Sequence, residues 1–169
     1  MAQYQATIVA PIEISEAFDY LARFSSTAEW DPGVQEAEMV TPEPVGLGSA
    51  FQVVATVAGR KVPLRYEITE FVRPYKVTVR AENGSTISED TITFTPIDRR
   101  SDDLASDDGD SDSDSDGHRT EVRYDADLQL KGPFRVLTPV LGLLFDRIGD
   151  RAAGGLRAAL LDLAESHSA

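Results

Sequence analysis

From Thr120 to Leu130 the chain alternates without a break, with Thr120, Val122, Tyr124, Ala126, Leu128 and Leu130 on one side and Glu121, Arg123, Asp125, Asp127 and Gln129 on the other. Successive side chains of a strand point to opposite faces, so this is a strand with one face buried and one wet. The same half-buried alternation recurs at Val62, Leu64, Tyr66 and Ile68, and at Val77, Val79 and Ala81. A sheet with one apolar face needs a cover, and the last third of the chain supplies one. Leu137, Leu141, Leu144 and Ile148, then Ala152, Leu156, Leu160 and Leu163, fall on one stripe at spacings of three or four. Thr138 and Pro139 offer an N-cap and a first-turn proline, and the stripe runs to about Ser166. A helix of ~28 residues is ~42 Å long at ~1.5 Å per residue, enough to cross a whole sheet. The pattern predicts an α+β fold: one antiparallel sheet covered on one face by one long helix.

The remaining elements complete the sheet. Tyr4 to Val9 reads as the first strand, ended by Pro11. Ile14 to Arg23 carries apolar residues at helical spacing, with Ser15 as its expected N-cap, and a second helical turn is expected between Ser25 and Trp30 before Asp31-Pro32-Gly33 stops it. Further strands are expected at Val34–Val40, Phe51–Val57, Val62–Val72, Lys76–Ala81 and Thr86–Pro96. Ala58-Gly59-Arg60-Lys61 and Asn83-Gly84 read as hairpin turns between them. Together with the alternating strand at Thr120–Leu130, six antiparallel strands in meander order and the first strand make seven.

The formal net charge is −13, but it is concentrated. Ser101–Gly117, SDDLASDDGDSDSDSDG, contains eight Asp and no basic residue, leaving −5 on the rest of the chain. Such a run repels itself and cannot bury enough apolar surface to offset its ordering entropy, so it is expected to be a disordered loop inserted into a single domain spanning residues 1–169. Asp112, Asp114, Asp116 and Gly117 match the opening of a calcium-binding EF-hand loop, but the twelfth position is Arg123 instead of a bidentate Glu. Loose cation condensation is the expectation there, not a metal site. The chain has 13 Arg but three Lys, and 17 Asp against 12 Glu. This balance suits solubility at high salt, where screening tolerates a large net charge, and points to a halophilic cytoplasm.

Composition also excludes functions. An acidic chain without a basic cluster is a poor partner for nucleic acid or an anionic membrane. The absence of cysteine removes disulfides, Cys-ligated metals and thiol nucleophiles. The histidines, His118 and His167, are placed for neither a Ser-His pair nor a zinc cluster, and no phosphate-cradling glycine loop is present. No metal, nucleotide or other cofactor is therefore expected. Met1–Ala10 lacks the character of a secretory signal, and the most apolar stretch, Phe134–Phe145, is too short to span a bilayer. A cytoplasmic protein without membrane insertion is expected.

The order of strand, two short helices, six antiparallel strands and a long C-terminal helix resembles the helix-grip fold of the START-like (SRPBCC) superfamily, within it the polyketide cyclase/dehydrase-type branch. The likeness is carried by Pro11-Ile12-Glu13 before the first helix, Trp30-Asp31-Pro32 opening the second strand, His118-Arg119-Thr120-Glu121-Val122-Arg123-Tyr124 entering the last strand, and Leu130-Lys131-Gly132-Pro133 before the long helix. It covers the chain except Ser101–Gly117. The resemblance implies a curved sheet gripping the helix, with a cavity between them for a small hydrophobic molecule such as a lipid, quinone or polyketide-like compound. A family of this kind spans ligand binding, lipid transfer and ring cyclisation, so shape does not choose among them.

Strand alternation nominates the lining of that cavity: Trp30; Leu64, Tyr66 and Ile68; Val77 and Val79; Ile92 and Phe94; Tyr124, Ala126 and Leu128; and Leu141, Leu144 and Ile148. Taken singly each reads first as ordinary core, and the cavity expectation rests on the set. Trp30 either stacks on a ligand or pins the helices to the sheet, with pinning the stronger expectation. Tyr66 and Tyr124 need partners for their hydroxyls if buried, and these could be each other, the backbone or a ligand. Counting back by twos from Phe94 and Ile92 gives Asp90 and Ser88, which places a carboxylate on the apolar face. Buried there, Asp90 would have a raised pKa suited to acid-base work. Fraying near Asn83-Gly84 would instead leave it at solvent, and that is the expectation. Asp90, Tyr66 and Tyr124 are the candidate catalytic groups of an enzyme reading, a cyclase or dehydratase, which stands behind binding without catalysis. A protein-interaction module is the third reading. Gly154-Gly155 lies mid-helix, where close packing on the sheet would explain it.

Overall fold

The computed structural model describes residues 2–57, 59–97, 118–132 and 138–167, with the side chains of 57, 138–148 and 167 outside the description. Its elements are β1 (Ala2–Ala10), α1 (Ile14–Ala22), a 3-10 turn (Phe24–Ser26), α2 (Thr27–Trp30), β2 (Val34–Met39), β3 (Ala50–Val57), β4 (Arg60–Val72), β5 (Lys76–Glu82), β6 (Thr86–Ile97), β7 (Arg119–Leu130) and α3 (Thr138–His167). All seven strands form one curled antiparallel sheet in the order β1-β7-β6-β5-β4-β3-β2. Hairpins join β2 through β6 in sequence, and β1 returns to pair with β7 from Ala2↔Leu128 to Ala10↔Thr120. The expected α+β helix-grip architecture is present, with every element within a few residues of its sequence-derived range.

Local chemistry explains the boundaries. The β3–β4 pairing continues to Val57↔Arg60, and Gly59 takes a φ of 76°, a left-handed conformation that glycine adopts without a Cβ penalty. The hairpin is therefore tighter than the four residues expected. At the β5–β6 turn the Asn83 side-chain oxygen accepts N–H groups from Ser85 and Thr86, both at 2.9 Å, and Lys131 donates its backbone N–H to Ser85 O. Ser15 is not the cap of α1: Glu13 holds that position and makes no side-chain cap bond. Pro11-Ile12 is fixed instead by Thr120, whose hydroxyl donates to the Ile12 carbonyl at 2.6 Å.

A bulge in β4 between Ile68 and Glu70 inserts one extra residue. Because a one-residue shift swaps the two faces of a strand, it lets both Ile68 and Phe71 turn inward. Phe71 then meets Phe18 of α1 edge-on at 5.1 Å, and Phe18 meets Phe94 at 5.3 Å. This half of the inner face is filled by α1. Along α3, Ala152, Leu156, Leu160 and Ala164 are buried at four-residue intervals, while Leu163 is partly buried. The helix packs on β1 and α2. Ser101–Gly117, the expected acidic loop, lies outside the described residues, as does Leu137.

Candidate functional site

The half of the sheet not filled by α1 encloses a cavity of about 170 Å³ between β1, β3, β4, β6 and β7, the Trp30 turn and α3. Its walls are mainly apolar, with Phe24, Val53, Leu64, Ala126, Leu128 and Leu156 among them. Set into these walls are Tyr66, Ser88, Asp90, Tyr124, Trp30 and Asp31.

The polar groups are positioned by strand register. Tyr66 on β4 pairs with Ala81 on β5, which pairs in turn with Ser88 on β6. The methyl group of Ala81 leaves room for the Tyr66 ring to cross it, and the phenol donates to Ser88 Oγ at 2.9 Å. Two residues along β6, Asp90 lies between Val79 and Ala126. The Tyr124 hydroxyl, on the neighbouring strand, lies beside the Asp90 carboxylate on the same wall. Tyr124 itself is met edge-on by Trp30 at 5.8 Å.

Asp90 is thus inside, only 6% exposed, and the expectation of a frayed, solvent-facing Asp90 is overturned. The reason is that β6 pairs on both sides from its first residues, Ile87 with Glu82 and Thr86 with Leu130, while Asn83 pins the turn. Removal from water pushes the Asp90 carboxyl up to about 7, despite the opposing influence of the neighbouring Tyr124 hydroxyl, and the negative charges of Asp31, Asp127 and Glu89 add to the rise. Burial also raises the Tyr66 and Tyr124 phenols well above their ordinary value, with Asp90 reinforcing both. Asp31 is raised by burial, in part offset by the Gly33 N–H that its Oδ1 accepts at 2.7 Å.

Trp30 lines the end of the cavity and meets Tyr124 of the sheet. The tryptophan is 4% exposed and its carbonyl lies against α3, where a Cβ on Gly155 would sit 1.9 Å from the oxygen. Gly155 is therefore the small residue that close approach requires, whereas a Cβ on Gly154 meets nothing within 4 Å. Gly149 gives the same clearance to the Tyr4 ring. The indole N–H of Trp30 has no hydrogen-bond partner among the described residues.

Of the nominated lining, Trp30, Leu64, Tyr66, Tyr124, Ala126 and Leu128 are on the cavity wall. Ile68, Val77, Val79, Ile92 and Phe94 are buried in the core instead, and Phe94 packs against Phe18. Leu141, Leu144 and Ile148 lie outside the residues whose side chains are described. Sequence reasoning did not nominate Tyr4, Ala6, Val53, Asp31 or Gly149. Tyr4 and Ala6 alternate in phase with Ile8, and Gly149 precedes Ala152, Ala153 and Leu156 at helical spacing, so those signals were present. Asp31 carried no such signal, since a turn has no period.

A sequence model of the family described as polyketide cyclase / dehydrase and lipid transport matches residues 1–164. Comparison with curated proteins finds no match. Among solved structures, the chain is similar to a START superfamily protein from Mycobacterium smegmatis, at 12% identity and a TM-score of 0.69, covering 95% of this chain and 97% of that one. A protein from Thermus thermophilus is similar at 16% identity and a TM-score of 0.68, covering 99% of both chains. The Zhui aromatase/cyclase from a Streptomyces species is similar at 12% identity and a TM-score of 0.67, covering 99% of this chain and 95% of that one. At these identities the structural likeness speaks for the fold, while the family match extends over nearly the whole sequence. The chain belongs to the polyketide cyclase / dehydrase and lipid transport family.

Proposed function

We propose that the protein binds a small hydrophobic molecule, of lipid, quinone or polyketide-like chemistry, in the cavity between the sheet and α3. The observation that carries this reading is an apolar cavity that the described side chains leave unfilled, with a few polar groups fixed on one wall, the usual make-up of a small-molecule site. A volume of about 170 Å³ exceeds the roughly 150 Å³ of an engineered apolar cavity that takes up benzene, so a body of one or two rings fits. A cavity left open by its own side chains also favours binding over a protein-interaction role. The composition, rich in Asp and poor in Lys, supports a salt-rich cytoplasm as the setting.

A second reading, a cyclase or dehydratase acting on such a ligand, is favoured by Asp90. A buried carboxyl titrating near 7, in contact with a phenol on a cavity wall, is matched to proton transfer at neutral pH. Tyr66 and Tyr124, with phenols raised by burial, would act as neutral hydrogen-bond donors beside it. Neither role calls for a metal or nucleotide.

The test is native mass spectrometry of protein purified in high salt, followed by solvent extraction and thermal melts with lipids, quinones and polyketides. A bound lipophile, or a ligand that raises the melting temperature, is the expected result. Ligand at ~100 times its Kd adds about 2.7 kcal/mol, well within detection. Ala126→Phe, which places a ring in the cavity, should abolish the shift. Reproducible recovery of nothing, with no stabilisation across the panel, refutes the binding reading.

A further inference from the structure

We infer that the cavity selects uncharged, hydroxyl-bearing ring compounds and rejects anionic ones, with Asp90 as the residue that sets the choice. This rests on the binding reading above and names its ligand class. Among the described residues, the charged side chains on the wall are Asp90 and Asp31, with no Lys, Arg or His beside them. A ligand carboxylate or phosphate entering this space meets like charge in a low-dielectric setting and finds no counter-ion there. Fatty acids and other anionic amphiphiles are turned away on that ground.

The hydrogen-bond directions supply the positive half of the selection. Tyr66 donates to Ser88 Oγ, which leaves the Ser88 hydroxyl proton for another acceptor. Asp90 lies on the cavity wall beside the Tyr124 hydroxyl and, even with that hydroxyl as a donor, keeps lone pairs open, since a carboxylate has about four acceptor sites. The wall therefore offers an acceptor at Asp90 and a donor at Ser88, two positions apart on one face of β6. A ligand hydroxyl satisfies both, donating to the first and accepting from the second. A ligand carboxylate has no proton to give Asp90, and a plain hydrocarbon leaves both unmet. The donated bond is charge-assisted whenever Asp90 is ionised, the stronger kind.

Calorimetric titration of the full chain with 2-naphthol, 2-naphthoate and naphthalene, in one buffer at mildly alkaline pH, tests this. The naphthol is expected to bind at least about tenfold more tightly than either of the others. In Asp90→Asn the advantage over naphthoate should shrink to about threefold or less, with naphthol itself weakened. Asp31→Asn, which can still accept the Gly33 N–H, should likewise narrow the advantage of naphthol over naphthoate, and serves if the Asp90 variant does not fold. Naphthoate binding as tightly as naphthol overturns the inference, and so does a ratio unmoved by both substitutions. Naphthalene binding as well as naphthol leaves the cavity a ligand site but removes its polar selectivity. Failure of all three probes overturns both the inference and the site.

Discussion

Adjacent glycines on α3 should respond to alanine with opposite sign. Both sit mid-helix, where replacing Gly by Ala is worth about 1 kcal/mol in helix propensity. At Gly154 the new methyl meets nothing within 4 Å, so the gain is kept. At Gly155 it would lie 1.9 Å from the Trp30 carbonyl oxygen and 2.9 Å from its carbon. That obstacle is backbone, held where α2 ends, and has no rotamer to change. Relief requires α3 to withdraw by at least about 1 Å, loosening the contacts of Ala152, Leu156 and Leu160 with the sheet. Overpacking typically costs ~1–3 kcal/mol, and an immovable carbonyl belongs at the upper end. The net expectation is a loss of about 2 kcal/mol for Gly155→Ala and a gain of up to about 1 kcal/mol for Gly154→Ala. At ~2–4 °C per kcal/mol for a chain of this size, the two variants should melt roughly 6–12 °C apart. Thermal and urea unfolding followed by far-ultraviolet circular dichroism measure both. Equal stability of the two variants, or a Gly155→Ala protein more stable than the parent, would refute the close approach of α3 to Trp30.

Two further outcomes follow from the site and the sheet. Asp90 has its folded-state pKa raised from 3.8 to about 7, so its contribution to stability is fully present below the lower value and is lost as pH rises through the upper one. Asp90→Asn should therefore gain on the parent progressively as pH rises from the acid range to above 7; urea midpoints measured across pH would contradict the burial of Asp90 if the two curves ran parallel. Deleting Ser101–Gly117 should leave the fold intact in high salt, because β6 and β7 already pair out to Ile97↔Arg119 and the four remaining residues, Asp98, Arg99, Arg100 and His118, suffice for a hairpin connection; loss of the circular dichroism spectrum of the folded protein would count against this.

The sheet was readable because its information is periodic. Unbroken alternation in β7 and in much of β4 and β5 states which face is buried, and the turns announce themselves through Gly59 and Asn83. What alternation does not state is which part of the buried face is core and which is cavity. Ile92 and Asp90 occupy equivalent positions on β6, yet one is packed in the core and the other faces free space. The difference is made by α1, whose Phe18 fills one half of the face through Phe71 and Phe94. The packing of Phe71 depends on the β4 bulge, which no residue in Ile68-Thr69-Glu70 advertises. Asp90 was misread for a related reason. A carboxylate on an apolar face looks like an error in strand phase until its partner is known, and the partner, Tyr124, comes from a strand more than thirty residues away.

The polar wall and the open volume sustain each other. Tyr66 and Ser88 form a hydrogen-bonded pair, Tyr124 lies beside Asp90, and each pair has a small neighbour: Ala81 lets Tyr66 reach Ser88, and Ala126 lies beside Asp90. A larger residue at Ala81 or Ala126 would fill space, as an ordinary core demands, but would separate a buried donor from its acceptor. An unsatisfied buried polar group costs about 1–3 kcal/mol and a charged one more, comparable with what an added methyl or two would gain. A core of this kind is therefore held back from close packing on one side by its own polar chemistry. On the other side, α3 cannot slide inward to close the gap, since its backbone at Gly155 already rests on the Trp30 carbonyl. The cavity is thus bounded by contacts that are each at their limit, and a molecule that fills it has no packing among the described residues to displace.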